Sequence, residues 1–384
     1  MTANPDTQTG KVARLFAPDA LRGLIMALMA LDHASLFIAH KHSVGEMWGG
    51  PFPTYHDTLT FLTRWVTHLC APGFFLLMGV GIMLLAHAYR QRGWSRWAVT
   101  RFFVIRGAAL IAVQLLVVNR AWELAPGGWG IQLYFGVLFA LGTCMILGSL
   151  LGWLKPTLLL AVTLALLIGT ELALPDPSQW GARLSVVRIV WLVPGGIMGS
   201  TGQAILWSYY PILPWLKLVT LGMVVGSWLV ENREKAFKRA WKLGLALLAA
   251  FVVVRWLNGF GNIRPRMGDS WIDFLNVVKY PPSIVFTLMT TGVNLILLGP
   301  LGHASQQMQR WLRPLTVLGQ TPLFFYVLHL FLYAILGRLL TPGGTSIPAM
   351  YPYWLLGLAM LYPLCLWYAR VKAREPMVSI WRLF

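Results

Sequence analysis

Charge is scarce in this chain, and negative charge scarcest of all. Of 384 residues, 11% are charged, with 13 Asp and Glu against 31 Lys and Arg. Soluble domains carry about 25% charged residues, so a water-soluble globule of this length is excluded. Cysteine is nearly absent as well. Cys70, Cys144 and Cys365 each fall inside an apolar run, which excludes a disulfide framework and offers no metal-binding spacing. The period-2 alternation of a membrane β-barrel is missing, and so is any internal repeat of the kind that marks inverted-repeat transporters. No stretch between the apolar runs is long enough to form a separate soluble domain.

What abounds is apolar surface. Hydrophobic residues make up 57% of the chain and mean hydropathy is +0.64, more than one soluble core can hide, so lipid covers the rest. The expected architecture is all-α, a polytopic bundle of about ten transmembrane helices. Its spans fall near 20–40, 65–88, 102–119, 131–153, 157–174, 206–230, 241–257, 281–302, 314–339 and 353–370, each approaching the roughly 20 residues that cross ~30 Å of hydrocarbon. A cytoplasmic tail (1–19) precedes the membrane domain (20–370), and a second tail (371–384) follows it. The first apolar segment carries Asp32 and His33 with no small-residue cleavage site after it, which reads as a retained helix rather than a signal peptide. Leu184–Met198 is apolar but broken by Arg188, Pro194, Gly195 and Gly196, the pattern of an interfacial or re-entrant piece.

A net charge of +18 is what a nucleic-acid binder carries, yet here the basic residues sit in short clusters between apolar runs. Arg90, Arg92, Arg96 and Arg101 form one; Arg233, Lys235, Lys238, Arg239 and Lys242 form another. That is the positive-inside pattern. It places both ends in the cytoplasm of a multi-pass inner-membrane protein whose partner is the lipid bilayer, with no nucleic acid; a homodimer is left open.

Candidate chemistry begins in the first helix, where Asp19-Ala20-Leu21-Arg22-Gly23 leads through an apolar stretch to Asp32-His33. At 100° per residue, Arg22 and His33 share one face, with Cα atoms ~16 Å apart along the axis. Arg22 then sits at the inner interface and His33 in the outer half of the bilayer. Each such ionisable group costs about 2.5–3.5 kcal/mol to insert and so favours a bundle interior or wet cavity, although an arginine at this depth also has the option of snorkelling to the headgroups. The same outer level gathers His56 and Asp57, the i, i+4 pair Arg64 and His68, Lys279, and His329 with Tyr326 and Tyr333 near its face. Arg64, His68 and Lys279 read equally as ion-pair partners or interfacial anchors. A histidine there suits general-base work, worth roughly 10²–10⁴-fold. Arg22, Arg101 and Arg106 on the inner side match phosphate oxygens, or simply anchor the helix ends.

These residues resemble the bacterial membrane proteins similar to the catalytic domain of heparan-α-glucosaminide N-acetyltransferase. The likeness lies in Asp19-Ala20-Leu21-Arg22-Gly23 with Asp32-His33, in Leu62–Phe74, Arg106-Gly107, Tyr210–Trp215 and Phe274–Ser283, and in Gly319-Gln320-Thr321-Pro322 leading to His329. It also extends to the wider superfamily of membrane acyltransferases, where a basic residue is followed after ten others by a catalytic histidine, as Arg22 is by His33. The resemblance implies an acetyltransferase using cytoplasmic acetyl-CoA as donor, without metal, and a glycan or amino sugar beyond the membrane as acceptor, through an amine or a hydroxyl. In the animal enzyme an asparagine occupies the place of His33, and the catalytic histidine lies in the first outer loop, where this chain has His56.

The expected site therefore has His33 as base, Asp32 assisting and His56 as second candidate. Arg22, Arg101 and Arg106 are assigned to the donor's phosphates. Arg64, His68, Lys279, Tyr326 and His329 are assigned to the acceptor or the oxyanion. Direct transfer and an acetyl-histidine route both remain open. A transporter or flippase using the buried histidines and acids, and a b-type haem protein with histidine ligands, are the rival classes.

Overall fold

The structure, a computed structural model, describes residues 14–42, 46–51, 53–55, 57–176, 185–200, 202–375, 379 and 381. It begins with α1 (Phe16–Phe37), then α2 (Thr58–Thr67), α3 (Cys70–Gln91) and α4 (Arg96–Val113). A π-helical turn (Gln114–Val118) leads into the short α5 (Asn119–Trp122) and the strand β1 (Ile131–Phe135). Next come α6 (Val137–Leu151), α7 (Pro156–Leu172), α8 (Val186–Trp191), β2 (Gly195–Met198) and β3 (Ala204–Ser208). The second half is helical: α9 (Ile212–Glu231), α10 (Arg233–Leu257), α11 (Trp271–Leu275), α12 (Ile284–Leu301), α13 (Gln306–Trp311), α14 (Arg313–Gln320), α15 (Pro322–Leu340) and α16 (Ile347–Arg374).

Among the described residues, eight helical stretches are long and apolar enough to cross a membrane, and α6 and α7 are shorter apolar helices. Each of these ten overlaps one of the ten expected spans. The chain is thus a polytopic helical membrane protein, and an even number of crossings returns both ends to one face. Arg14 and Lys372, near the two ends, line the mouth of one cavity. The charge bias names that face the inner one.

Turn chemistry sets several boundaries. The Asp57 carboxylate accepts from the Thr60 amide at 2.8 Å to start α2, Ser283 does the same for α12 through the Phe286 amide at 3.1 Å, and Asn258 ends α10 in a left-handed conformation (φ 51°). Each satisfies or releases backbone groups that a helix end leaves unpaired.

Between helices, glycine permits backbone contact of the kind membrane bundles favour. A Cβ on Gly23 would fall 1.7 Å from the Leu315 carbonyl oxygen, and one on Gly319 would fall 1.9 Å from that of Asp19. The pair locks α1 against α14. Around this centre α1 and α9 are mostly buried, whereas α10 and α16 turn most of their length outward.

A three-stranded sheet on the outer side, in the order β1-β3-β2, is an addition the sequence reading did not place. β1 runs parallel to β3, pairing Leu133 with Leu206, and β2 antiparallel, pairing Gly196 with Trp207. Strands of four or five residues are too short to show alternation above the apolar background. The apolar piece around 184–198 becomes α8 and β2 rather than a span.

Candidate active site

The inner face opens into a cavity of about 1080 Å³ bounded by α1, α3, α4, α6, α15 and α16. Cations dominate its mouth: Arg14, Arg22, Arg92, Arg106, Arg233 and Lys372 line it, against the single carboxylate Asp19. Arg22 donates to the Asp19 carboxylate at 3.0 Å and to the Gly319 carbonyl at 2.9 Å. The glycine contact between α1 and α14 thereby aims this guanidinium. Arg106 lies over the Phe102 ring at 5.3 Å, and Lys372 donates to the Gln320 carbonyl at 3.3 Å. Elsewhere the walls are apolar, with Met26, Phe74, Leu110, Leu138 and Met145, and Tyr326 is also part of the lining.

Beyond Tyr326 lies a histidine pair. The Tyr326 ring stands edge-on to His329, with centroids 5.5 Å apart. His33 Nδ1 and His329 Nε2 are 2.6 Å apart. His329 Nδ1 is 3.0 Å from the Phe325 carbonyl oxygen. A carbonyl only accepts, so Nδ1 of His329 carries the hydrogen and, in the neutral ring, Nε2 has the lone pair. His33 must then donate from Nδ1, which leaves the lone pair on His33 Nε2. His329 has no exposed surface, whereas His33 keeps 8%. Trp122, at the end of α5, packs edge-on against His33 at 5.4 Å.

Asp32 faces elsewhere. Its carboxylate accepts from Arg64, from Thr67 at 2.9 Å and from His42 at 3.4 Å. Arg64 also grips Glu46 through two nitrogens, and His68 reaches the same carboxylate at 2.8 Å. Glu46 is 1% exposed by side chain. Burial alone would push its carboxyl up, but Arg64 and His68 together hold it well below the ordinary glutamate value. The backbone of Glu46 in turn accepts the Lys279 and Tyr280 amides at 3.1 Å. Lys279 is 3% exposed, with its ammonium 5.0 Å from the centre of the Tyr280 ring. The Tyr210 and Tyr280 hydroxyls meet at 3.1 Å, and burial pushes both up, so they stay neutral.

The sequence-derived candidates therefore sort into three groups. Arg22, Arg106 and Tyr326 line the cavity. His33 and His329 lie outside that lining as a pair beside Tyr326, while Asp32, Arg64, His68 and Lys279 belong to the outer network around Glu46. Arg101 is exposed and does not line the cavity, and His56 lies outside the described residues. Glu46 and His42 were missed. With acids so few, the need of Arg64 and His68 for a common counter-ion was the signal that pointed to Glu46. Among the described residues no group of three or more His, Cys, Asp or Glu is placed to hold a metal.

The family model described as heparan-alpha-glucosaminide N-acetyltransferase, catalytic, matches residues 14–257, more than half of the chain. The chain belongs to this family. The matched stretch holds Arg22, Asp32, His33, Arg64 and Arg106, while Lys279, Tyr326 and His329 fall beyond it. The heparan-alpha-glucosaminide N-acetyltransferase of Mus musculus is 30% identical over 138 residues, which is 36% of this chain and 19% of that protein. A Na(+)/H(+) antiporter NhaA 2 of Pseudomonas syringae pv. syringae is 28% identical over 140 residues, 36% of this chain and 34% of the antiporter. The counterpart from Pseudomonas savastanoi pv. phaseolicola matches over the same shares. The chain thus spans about a third or less of the length of these relatives.

Proposed function

We propose that this member of the heparan-α-glucosaminide N-acetyltransferase family moves an acetyl group from cytoplasmic acetyl-CoA to an amine or hydroxyl of a glycan or amino sugar, across a bacterial inner membrane. One observation carries the reading. A cavity with a cationic mouth on the inner face and apolar walls has Tyr326 in its lining, and the Tyr326 ring touches His329 of the His33–His329 pair. Polyanionic phosphates suit the mouth, where Arg22, Arg106 and Lys372 converge, and a long neutral pantetheine arm suits the walls.

The chemistry then falls to His33. Its Nε2 lone pair takes the acceptor's proton as the acceptor attacks the thioester carbon. His329 acts as a positioning residue, holding the His33 tautomer through a hydrogen bond that the Phe325 carbonyl orients in turn. Asp32, next in the chain, keeps a negative charge beside the imidazolium that forms, while Arg64 and Glu46 hold that carboxylate still.

Purified protein in lipid vesicles, given labelled acetyl-CoA and glucosamine, is expected to yield labelled N-acetylglucosamine. His33→Ala is expected to reduce turnover by about 10²–10⁴-fold with insertion unchanged, whereas near-normal turnover would shift the base to His56. The antiporter likeness and the buried Lys217 within α9 favour ion transport as the second reading. Sodium or proton flux through the vesicles without any acetylated product would select it.

A further inference from the structure

Lys279, His329 and Tyr326 are the candidates for the oxyanion that the sequence offers. His329 is spent, because one ring nitrogen faces the Phe325 carbonyl and the other faces His33. Lys279 is absent from the cavity lining and sits in the outer segment against Tyr280. Tyr326 differs from both. It is 5% exposed, lines the cavity, and its hydroxyl makes no hydrogen bond with any described residue. The hydroxyl oxygen keeps contact with solvent, so water in the cavity satisfies it until an acceptor arriving with the ligand takes that place.

We infer that Tyr326 is the oxyanion donor of the reaction, its hydroxyl donating to the carbonyl oxygen of the incoming acetyl thioester at the cavity wall. The inference rests on the acetyltransferase reading above. The residue's place in α15 makes the assignment geometric. Tyr326 precedes His329 by three positions, so the two lie on one face of the helix, and the rings touch edge to face. The donor of the hydrogen bond and the histidine that positions the base are thereby held on one rigid element, as preorganised charge stabilisation requires.

The acceptor's lone pair adds to the thioester carbon, and its proton passes to His33 Nε2. Negative charge collects on the carbonyl oxygen, within a hydrogen bond from Tyr326. When the C–S bond breaks, the sulfur leaves with the electron pair and takes the proton from His33, giving free CoA and the acetylated acceptor.

The direct test is the infrared band of the thioester carbonyl, isolated with acetyl-CoA carrying ¹³C at that carbon, in parent protein and in Tyr326→Phe. Phe keeps the ring against His329 and removes only the hydroxyl. The expected result is a bound band lowered from its solution frequency in the parent and returned toward it in the variant. With it, kcat should fall by about 10²–10³-fold and KM for acetyl-CoA stay within about threefold. A lowered band that persists unchanged in Tyr326→Phe overturns the assignment while leaving the acetyltransferase reading intact, and so does a bound band at the solution frequency in the parent. If the parent gives no bound band at all, acetyl-CoA is not its ligand, and the function and this inference fall together.

Discussion

Side chains that carry charge below the headgroups each cost about 2.5–3.5 kcal/mol to insert, and this chain concentrates them where they have work or partners. Arg22 illustrates the first case. Its two hydrogen bonds, to Asp19 and Gly319, leave a guanidinium with five donors partly unused, at a cavity mouth crowded with like charge. Like charges held together favour an anion between them. Arg22→Ala is accordingly expected to raise KM for acetyl-CoA by at least about tenfold, the effect of losing one charge-assisted hydrogen bond worth about 1.5–3 kcal/mol, with kcat little changed. The same substitution should scarcely alter KM for acetyl-pantetheine, which lacks the phosphates, so steady-state kinetics with both donors separates anion binding from snorkelling. The shared face of Arg22 and His33 was legible from their spacing. The partner of His33 was not, because His329 arrives from a helix almost three hundred positions away.

Helices and the segments between them show how the outer network is held. The stretch from Asn276 to Ser283 is irregular, yet side chains from several helices tie down the chain on either side of it and within it. Arg255 of α10 donates to the Asn276 and Asp273 carbonyls at 2.8 Å, Lys217 of α9 donates to the Pro282 carbonyl at 2.8 Å, and Glu171 of α7 accepts the Ile284 amide at 2.9 Å. Such backbone is tolerated near membrane depth when protein satisfies its polar groups. Glu46 performs the same service from the first outer loop while also neutralising Arg64. Because its carboxyl is held below the ordinary value in the fold, its contribution is complete above about pH 4.5 and is lost as pH falls toward the depressed folded value. Glu46→Gln leaves the buried Arg64 short of a charge partner and is expected to cost about 3–5 kcal/mol. Thermal unfolding in detergent as a function of pH checks both points: the parent should lose stability below about pH 4.5, and the variant should start lower and show less of that acid loss. Individual residues of this network were visible as polar groups at one membrane level. Their pairing was not, since the loop that carries Glu46 has no periodicity to announce where it folds.

For the molecule as a whole, the cavity opens on the face where α1 begins and α16 ends, and the polar network lies toward the other. Donor and acceptor should therefore be needed on opposite sides. In sealed vesicles of known orientation, acetyl-CoA is expected to support transfer only from the side bearing the termini, and equal activity from either side would contradict the arrangement. Ten apolar runs, their basic flanks and the single-face placement of Arg22 and His33 followed from composition and helical period alone, because the bilayer imposes one length and one charge bias on every span. Which helices touch was decided by close backbone approach at residues such as Gly23 and Gly319, and which side chains meet was decided by that packing. The His33–His329 pair, the turn of Asp32 toward Arg64, and the place of Tyr326 in the cavity wall beside His329 all arise between segments distant in the chain, where local pattern carries no information and only the assembled bundle sets the distance.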